Sequence, residues 1–293
     1  MILVNYLLYY GIIIPISLLP FGILYRISDI LFVLIYHVIG YRKKVVRQNL
    51  LNSFPAKSKE EITSLERAFF RHFCDIIVET LKGFSITEQE LKQRVTYSNL
   101  NLIKEYHKKK QSVIVATAHY GNWEYAALSM AVYFPHTCMG VYHPLKNKFF
   151  NQKLIESRGK FGLNLVSPKK ISAFYRKNDL VVAGFIADQT PHNVYKCHWM
   201  KFMNQETPVF LGAENFATKL NQPVLYGRIE KISRGNYTIT FEKVTDTPIE
   251  EPKYFITEKH TNLLEKQIIS KPEFWLWTHK RWKRKKPNDF IKQ

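Results

Sequence analysis

The segment Gln111-Ser-Val-Ile-Val-Ala-Thr-Ala-His-Tyr-Gly-Asn-Trp-Glu124 settles how the chain is built. Its first half, Gln111 to Ala118, is a short run rich in β-branched residues, the pattern of a strand buried on both faces. Its second half turns. Gly121 permits a tight bend, Asn122 suits a helix N-cap, and Trp123 to Phe134 has helical texture. A buried strand that feeds a helix through a short polar loop is the building unit of a layered α/β protein.

The same alternation extends downstream. Thr137 to Tyr142 reads as extended, Phe149 to Lys160 as helical, and Asp179-Leu-Val-Val-Ala-Gly-Phe-Ile-Ala187 as a second buried strand. Pro208 to Leu220 and Ile256 to Ile269 read as helices. Val224 to Lys231 and Asn236 to Val244 read as strands joined through Arg234-Gly-Asn236, a hairpin signal. The expected fold class is therefore α/β, with a mostly parallel sheet and an antiparallel edge. Upstream, Ser58 followed by Glu61 is a capping-box pattern. Ile62, Leu65, Phe69, Phe73, Ile76, Ile77 and Leu81 then recur at helical spacing up to Gly83, a plausible stop. Three regions result: an apolar segment over 1–41, a helical lead-in over 42–98, and an α/β domain over 99–293.

Composition bounds what the chain can be. It has 293 residues, 43 Lys+Arg against 24 Asp+Glu, a net charge of +19, and 46% hydrophobic residues. That content excludes general disorder, and the charge points to an anionic partner: nucleic acid, an anionic membrane surface or an acidic protein. Cys74, Cys138 and Cys197 form no CxxC pair, which argues against a disulfide framework or a zinc ribbon. His192, Cys197 and His198 cluster, but their spacing matches no usual zinc pattern, so no metal and no cofactor is expected.

The charge and the apolar residues concentrate at the ends. Met1 to Tyr25 holds no Lys, Arg, Asp or Glu. As one helix it would reach roughly 37 Å, enough to cross a bilayer core, with Arg42, Lys43, Lys44 and Arg47 keeping the remainder in the cytoplasm. Alternatively Pro15 and Pro20 break the run into short helices lying in one leaflet, or the run is a buried N-terminal hairpin of a soluble domain. A second apolar stretch, Ile30 to Tyr41, is too short to span alone. At the other end, Trp275-Leu-Trp-Thr-His-Lys-Arg-Trp-Lys-Arg-Lys-Lys286 interleaves tryptophan with cations, a composition suited first to an anionic membrane interface, then to a plain solvated tail, and least to a nucleic acid backbone.

In open α/β sheets, sites gather at the carboxyl ends of strands. Two apolar strands here end in polar residues: His119-Tyr-Gly-Asn-Trp-Glu124 and Asp188-Gln-Thr190. Five helical steps of about 100° would leave His119 and Glu124 on different faces, so His119 must precede the helix and fold back towards Glu124. A carboxylate bonded to one imidazole nitrogen fixes the tautomer and makes the other a general base able to activate a hydroxyl. Free N–H groups at the helix start suit an oxyanion. Met200, Phe202 and Met203 read as core residues before they read as the lining of a ligand tunnel.

With these motifs in order, the chain resembles the lipid A biosynthesis late acyltransferases, the lauroyl/myristoyl transferase family. The resemblance runs nearly end to end. It covers Arg47-Gln-Asn-Leu50 with Ser53-Phe-Pro55, Phe70-Arg-His-Phe73 with Glu79, Ala118-His-Tyr-Gly-Asn-Trp-Glu124 and Tyr142-His-Pro144. It continues through Arg158-Gly-Lys-Phe-Gly162, Ala187-Asp-Gln-Thr190, Thr207-Pro208 and Trp275-Leu-Trp-Thr-His-Lys-Arg-Trp282. It implies a layered αβα acyltransferase-like domain behind a helical N-terminal membrane anchor. The implied activity moves a fatty acyl group from an acyl carrier protein or CoA thioester to a hydroxyl of a lipid A precursor. The implied place is the bacterial inner membrane, with the catalytic domain facing the cytoplasm. By that resemblance His119 is the general base and Glu124 its orienting partner, while Arg158, Asp188 and Asn122 are substrate-binding positions. The hydroxyl would attack the thioester directly, and G-x-S-x-G is absent. Related glycerol-phosphate acyltransferases usually carry Glu-Gly-Thr where this chain has Asp188-Gln-Thr190, which counts against that acceptor. An acyltransferase of the same fold acting on an aminolipid or lysophospholipid is the alternative. A membrane-anchored nucleic-acid-binding protein is disfavoured, because residues 99–250 hold no helix-turn-helix or aromatic–basic repeat.

Overall fold

A computed structural model describes residues 2–288. Nine strands are present among them: β1 Val95–Tyr97, β2 Val113–Thr117, β3 Thr137–Val141, β4 Asn164–Val166, β5 Val181–Ile186, β6 His198–Phe202, β7 Gln205–Val209, β8 Val224–Ser233 and β9 Asn236–Thr245. Seven form one sheet in the order β1-β9-β8-β2-β5-β3-β4, and β6 pairs with β7 in a separate ribbon. Every pairing in the large sheet is parallel except β8 with β9, the expected hairpin.

The β-branched run of β2 is central, and both its faces are buried. Ile114 and Ala116 join a core shared with Phe69, Phe70 and Cys74 of helix Lys59–Lys82 and with Ile256, Leu264 and Ile268 of helix Phe255–Ser270. Val113 and Val115 join a second core, which includes Tyr125 and Leu128 of helix Trp123–Tyr133. Helices thus cover the sheet on two sides, as the two-sided apolar strand requires. The Ser58 capping box forms as expected, with Glu61 N–H donating to the Ser58 hydroxyl and Ser58 N–H to the Glu61 carboxylate.

Four expectations change. The helix expected from Pro208 begins at Gly212 instead, and Pro208 lies in β7 opposite Trp199. A two-stranded ribbon has two outer edges, and on an edge the missing N–H of proline costs no ladder bond. Strands β1 and β4 have only three residues each, too few for a local pattern. β1 owes its register to β9, with Val95 opposite Tyr237.

At the N-terminus no single helix runs from Met1 to Tyr25. The chain bends at Leu19 (ψ 147°), pushed out of the helical region by Pro20. Helix Leu3–Leu18 precedes the bend and Phe21–Ile39 follows it, the latter 19 residues long with mean hydropathy 1.7. The stretch from Ile30, expected to be short, is the second half of that helix. Pro15 is absorbed at the start of the α-helical turn Ile14–Leu18.

The C-terminal tryptophans are the fourth change. Trp275 and Trp277 are buried at 2% and 0% exposure, packed edge to face at 4.7 Å, and Arg281 is equally buried. Only Lys280 and Lys283 to Lys286 of the basic run are exposed. The apolar rings serve the core, and the alternating pattern comes from a segment with one face inward.

Candidate active site

Strands β2 and β5 run parallel in a register that pairs Thr117 with Ile186. His119 and Asp188 each lie two residues beyond that pair, so their side chains meet. His119 Nδ1 stands 2.7 Å from Asp188 Oδ1, and His119 N–H donates to Oδ2 at 3.0 Å. An ionised carboxylate can only accept, so the proton sits on Nδ1 and leaves Nε2 with its lone pair. Gln189 Nε2 lies 3.3 Å from that nitrogen, and the Trp123 ring stands edge-on to the imidazole at 5.2 Å.

Burial alone would lower the His119 pKa, but the charge and hydrogen bond of Asp188 outweigh it, and the net shift is upward. Asp188 is buried, which raises a carboxyl pKa. The facing imidazole and the N–H groups of Trp275 and His119 more than compensate, and it lies below its ordinary value.

Trp275 reaches Asp188 from the far end of the chain, donating Nε1–H to Oδ2 at 2.8 Å. The segment that carries it is tied to the His119 turn: Leu276 N–H donates to His119 C=O, and Gly121 N–H to Phe274 C=O. Gly121 has φ +58°, and a Cβ there would stand 2.9 Å from Ile229 Cγ2, so the turn needs glycine for conformation and for space.

Glu124 was expected on the imidazole. It sits in the first turn of helix Trp123–Tyr133 and faces Arg158 instead. Arg158 Nε donates to Oε2 at 2.8 Å and Nη2 to Oε1 at 2.6 Å, a bidentate pair. The strand-to-strand register puts Asp188 closer to His119 than the loop can bring Glu124. Arg158 Nη1 has no bond among the described residues and is available to an anion. Asn122, expected to touch substrate, is fully buried. Its Oδ1 caps Tyr125 N–H at 2.8 Å, and its Nδ2–H donates to Glu79 Oε2 at 2.6 Å, so neither end is free.

Glu79 stood out in the sequence only as part of the resemblance, beside Phe70-Arg-His-Phe73. It is buried among the hydroxyls of Tyr25 and Tyr237, which donate at 3.0 and 2.7 Å, and Asn122. Burial holds its carboxyl pKa above the usual range despite those donors. His72, two turns earlier on the same face of helix Lys59–Lys82, packs edge-on against Phe274 at 4.9 Å.

A cavity of about 510 Å³ opens at His119, Glu124, Arg158 and Gln189. It continues between the sheet and one face of helix Trp123–Tyr133. Ala126 and Ala127 leave the space, Met130 lines it, and Phe134, Phe241 and Tyr97 close it with rings 5.2 to 5.8 Å apart. From Trp123 to Phe134 is about 16 Å of helix. The walls are mostly apolar and the charged groups cluster at one end, the form of a site for an amphiphile. Both lining threonines donate their hydroxyls to backbone carbonyls, Thr117 to Gly227 and Thr190 to Arg281. Phe202 and Met203 are core residues. Among the described residues no group of three His, Cys, Asp or Glu could hold a metal ion; His198 faces Glu258 at 2.8 Å.

No curated protein matches the chain. A family model does, that of the bacterial lipid A biosynthesis acyltransferases, and it matches residues 2–284. The match covers the N-terminal helices, both polar strand ends and the Trp275 segment, and by it the chain belongs to the bacterial lipid A biosynthesis acyltransferases.

Proposed function

We propose that the chain transfers a fatty acyl group from a thioester, on acyl carrier protein or CoA, to a hydroxyl of a lipid A precursor at the cytoplasmic face of the bacterial inner membrane. The observation that carries this is the His119–Asp188 pair at the charged end of a long apolar cavity. The cavity suits the acyl chain, and its charged rim suits the thioester and the anionic acceptor.

The reaction proceeds in two steps. His119 Nε2 takes the proton as the acceptor oxygen forms its bond to the thioester carbonyl carbon. The Nη1 edge of Arg158, which lines the same cavity and which Glu124 holds in place, is the cation offered to the resulting oxyanion. The tetrahedral intermediate then collapses, the C–S bond breaks, and the leaving thiolate takes the proton from His119. Asp188 keeps the imidazole in the right tautomer and stabilises the imidazolium between the steps. Asn122 positions the loop: it caps the helix behind Glu124 and is itself anchored by Glu79.

Purified protein is to be mixed with acyl carrier protein charged with fatty acids and with a panel of lipid acceptors, and the products read by mass spectrometry. The expected product is an acylated lipid A precursor, with turnover in His119→Ala lower by roughly 10²–10⁴-fold. Unchanged turnover in that variant sinks the mechanism. Acylation only of an aminolipid or lysophospholipid keeps the chemistry and refutes the acceptor.

A further inference from the structure

Helix Phe21–Ile39 is long and apolar enough to cross a bilayer, with about 28 Å of rise. Its neighbours tell against that. Leu24, Ser28, Phe32 and Tyr36 recur every four residues and are all buried. The face they form lies against helix Lys59–Lys82 and the tip of the β8–β9 hairpin, and what it meets there is charged. Tyr25 donates to Glu79 at 3.0 Å, Ser28 to Asp75 at 2.8 Å, and Tyr36 to Glu66 at 3.0 Å. Asp29 pairs with Arg234 at 2.7 Å, and the Arg71 guanidinium stands 4.4 Å above the Phe32 ring.

These contacts run from residue 25 to residue 36, about 16 Å along the axis. In a crossing helix that stretch is the middle of the hydrocarbon, and Asp29 adjoins the centre. Crossing would immerse Glu66, Asp75, Arg71 and Arg234 together at mid-bilayer, where ionisable groups are expensive and rare. It would also bring the hairpin tip, with its open backbone, to a depth where no water satisfies it.

The opposite face suits lipid. Ile23, Ile30, Val33, Leu34, Val38 and Ile39 are exposed along it. Arg26, Arg42 and Lys44, also exposed, flank that row with charge complementary to anionic headgroups.

We propose that the N-terminal helices do not cross the membrane: Phe21–Ile39 lies in the plane of one leaflet of an anionic bilayer, its outer row in the acyl region and its inner face held by the folded domain. This rests on the membrane location proposed above and settles its geometry. It also fixes the route to the site. Leu145, exposed, lines the mouth of the acyl cavity. Close beside it Asn147 donates to Asn5 at 3.3 Å, and Phe149 packs on Tyr6 at 4.9 Å. The cavity therefore opens beside helix Leu3–Leu18, and an acceptor held in that leaflet reaches His119 without leaving the interface.

The test places a fluorophore on Ile23→Cys, Ile30→Cys, Leu34→Cys and Val38→Cys in turn. The three native cysteines are buried and do not compete for label. The full chain is reconstituted in phosphatidylethanolamine–phosphatidylglycerol vesicles, and depth is read by quenching with lipids brominated near or far from the headgroup. Retained acyl transfer selects folded variants. The expected result is one shallow depth at all four positions. A profile deepest at Ile30 and shallow at Ile23 and Val38 overturns the in-plane geometry and leaves the membrane location standing. Four probes in water overturn both.

Discussion

His119 is poised between two opposing influences. Its burial favours the neutral ring, and the ionised Asp188 favours the protonated one and prevails, so its pKa lies above 6.5. A general base works only when neutral, so kcat/KM should rise with pH through a midpoint above 6.5. In Asp188→Asn the carboxylate is lost and the burial remains. The midpoint should move to lower pH, and the rate on the plateau should fall roughly 10²-fold, because the amide no longer holds the tautomer. A pH–rate profile of both proteins checks this; an unmoved midpoint would contradict the pairing. The same shifts bear on stability. The raised His119 pKa contributes stability that is full below 6.5 and is lost as pH climbs through its folded value. The lowered Asp188 pKa contributes stability that is present above 3.8 and is lost as pH falls through its folded value.

At the scale of elements, the turn from Ala118 to Asn122 does most of the positioning. It must leave β2, expose the imidazole and start a helix within five residues, while the Trp275 segment closes over it. Gly121→Ala forces a side chain into φ +58° and against Ile229. The expected cost is about 1–3 kcal/mol of stability, seen as a lowered midpoint in urea denaturation. Unchanged stability would mean that the turn relaxes freely. The helix Trp123–Tyr133 shows the complementary economy: Asn122 and Glu124 serve its first turn, while Ala126 and Ala127 thin its inner face to make the cavity.

Across the whole molecule, what was legible in the sequence was whatever depends on neighbours in the chain. The buried strands β2 and β5, the β8–β9 hairpin, the capped helix Lys59–Lys82 and the two polar strand ends all follow from short-range pattern. What was not legible depends on pairs far apart. Asp188 stands 69 residues from His119, and Trp275 lies 87 residues from Asp188. Glu124, five residues from His119, looked like the natural partner because sequence shows adjacency and hides register. The tryptophans near the C-terminus read as interfacial because composition shows amphipathy and hides which face turns inward.

Parallel register between β2 and β5, and not proximity in sequence, supplies the partner of His119. A double-mutant cycle on single-turnover acyl transfer measures it directly. If Asp188 acts through His119, then His119→Ala with Asp188→Asn loses no more rate than His119→Ala alone, while His119→Ala with Glu124→Gln loses further rate through Arg158. Additive losses at Asp188, with Glu124 silent once His119 is gone, would contradict the account.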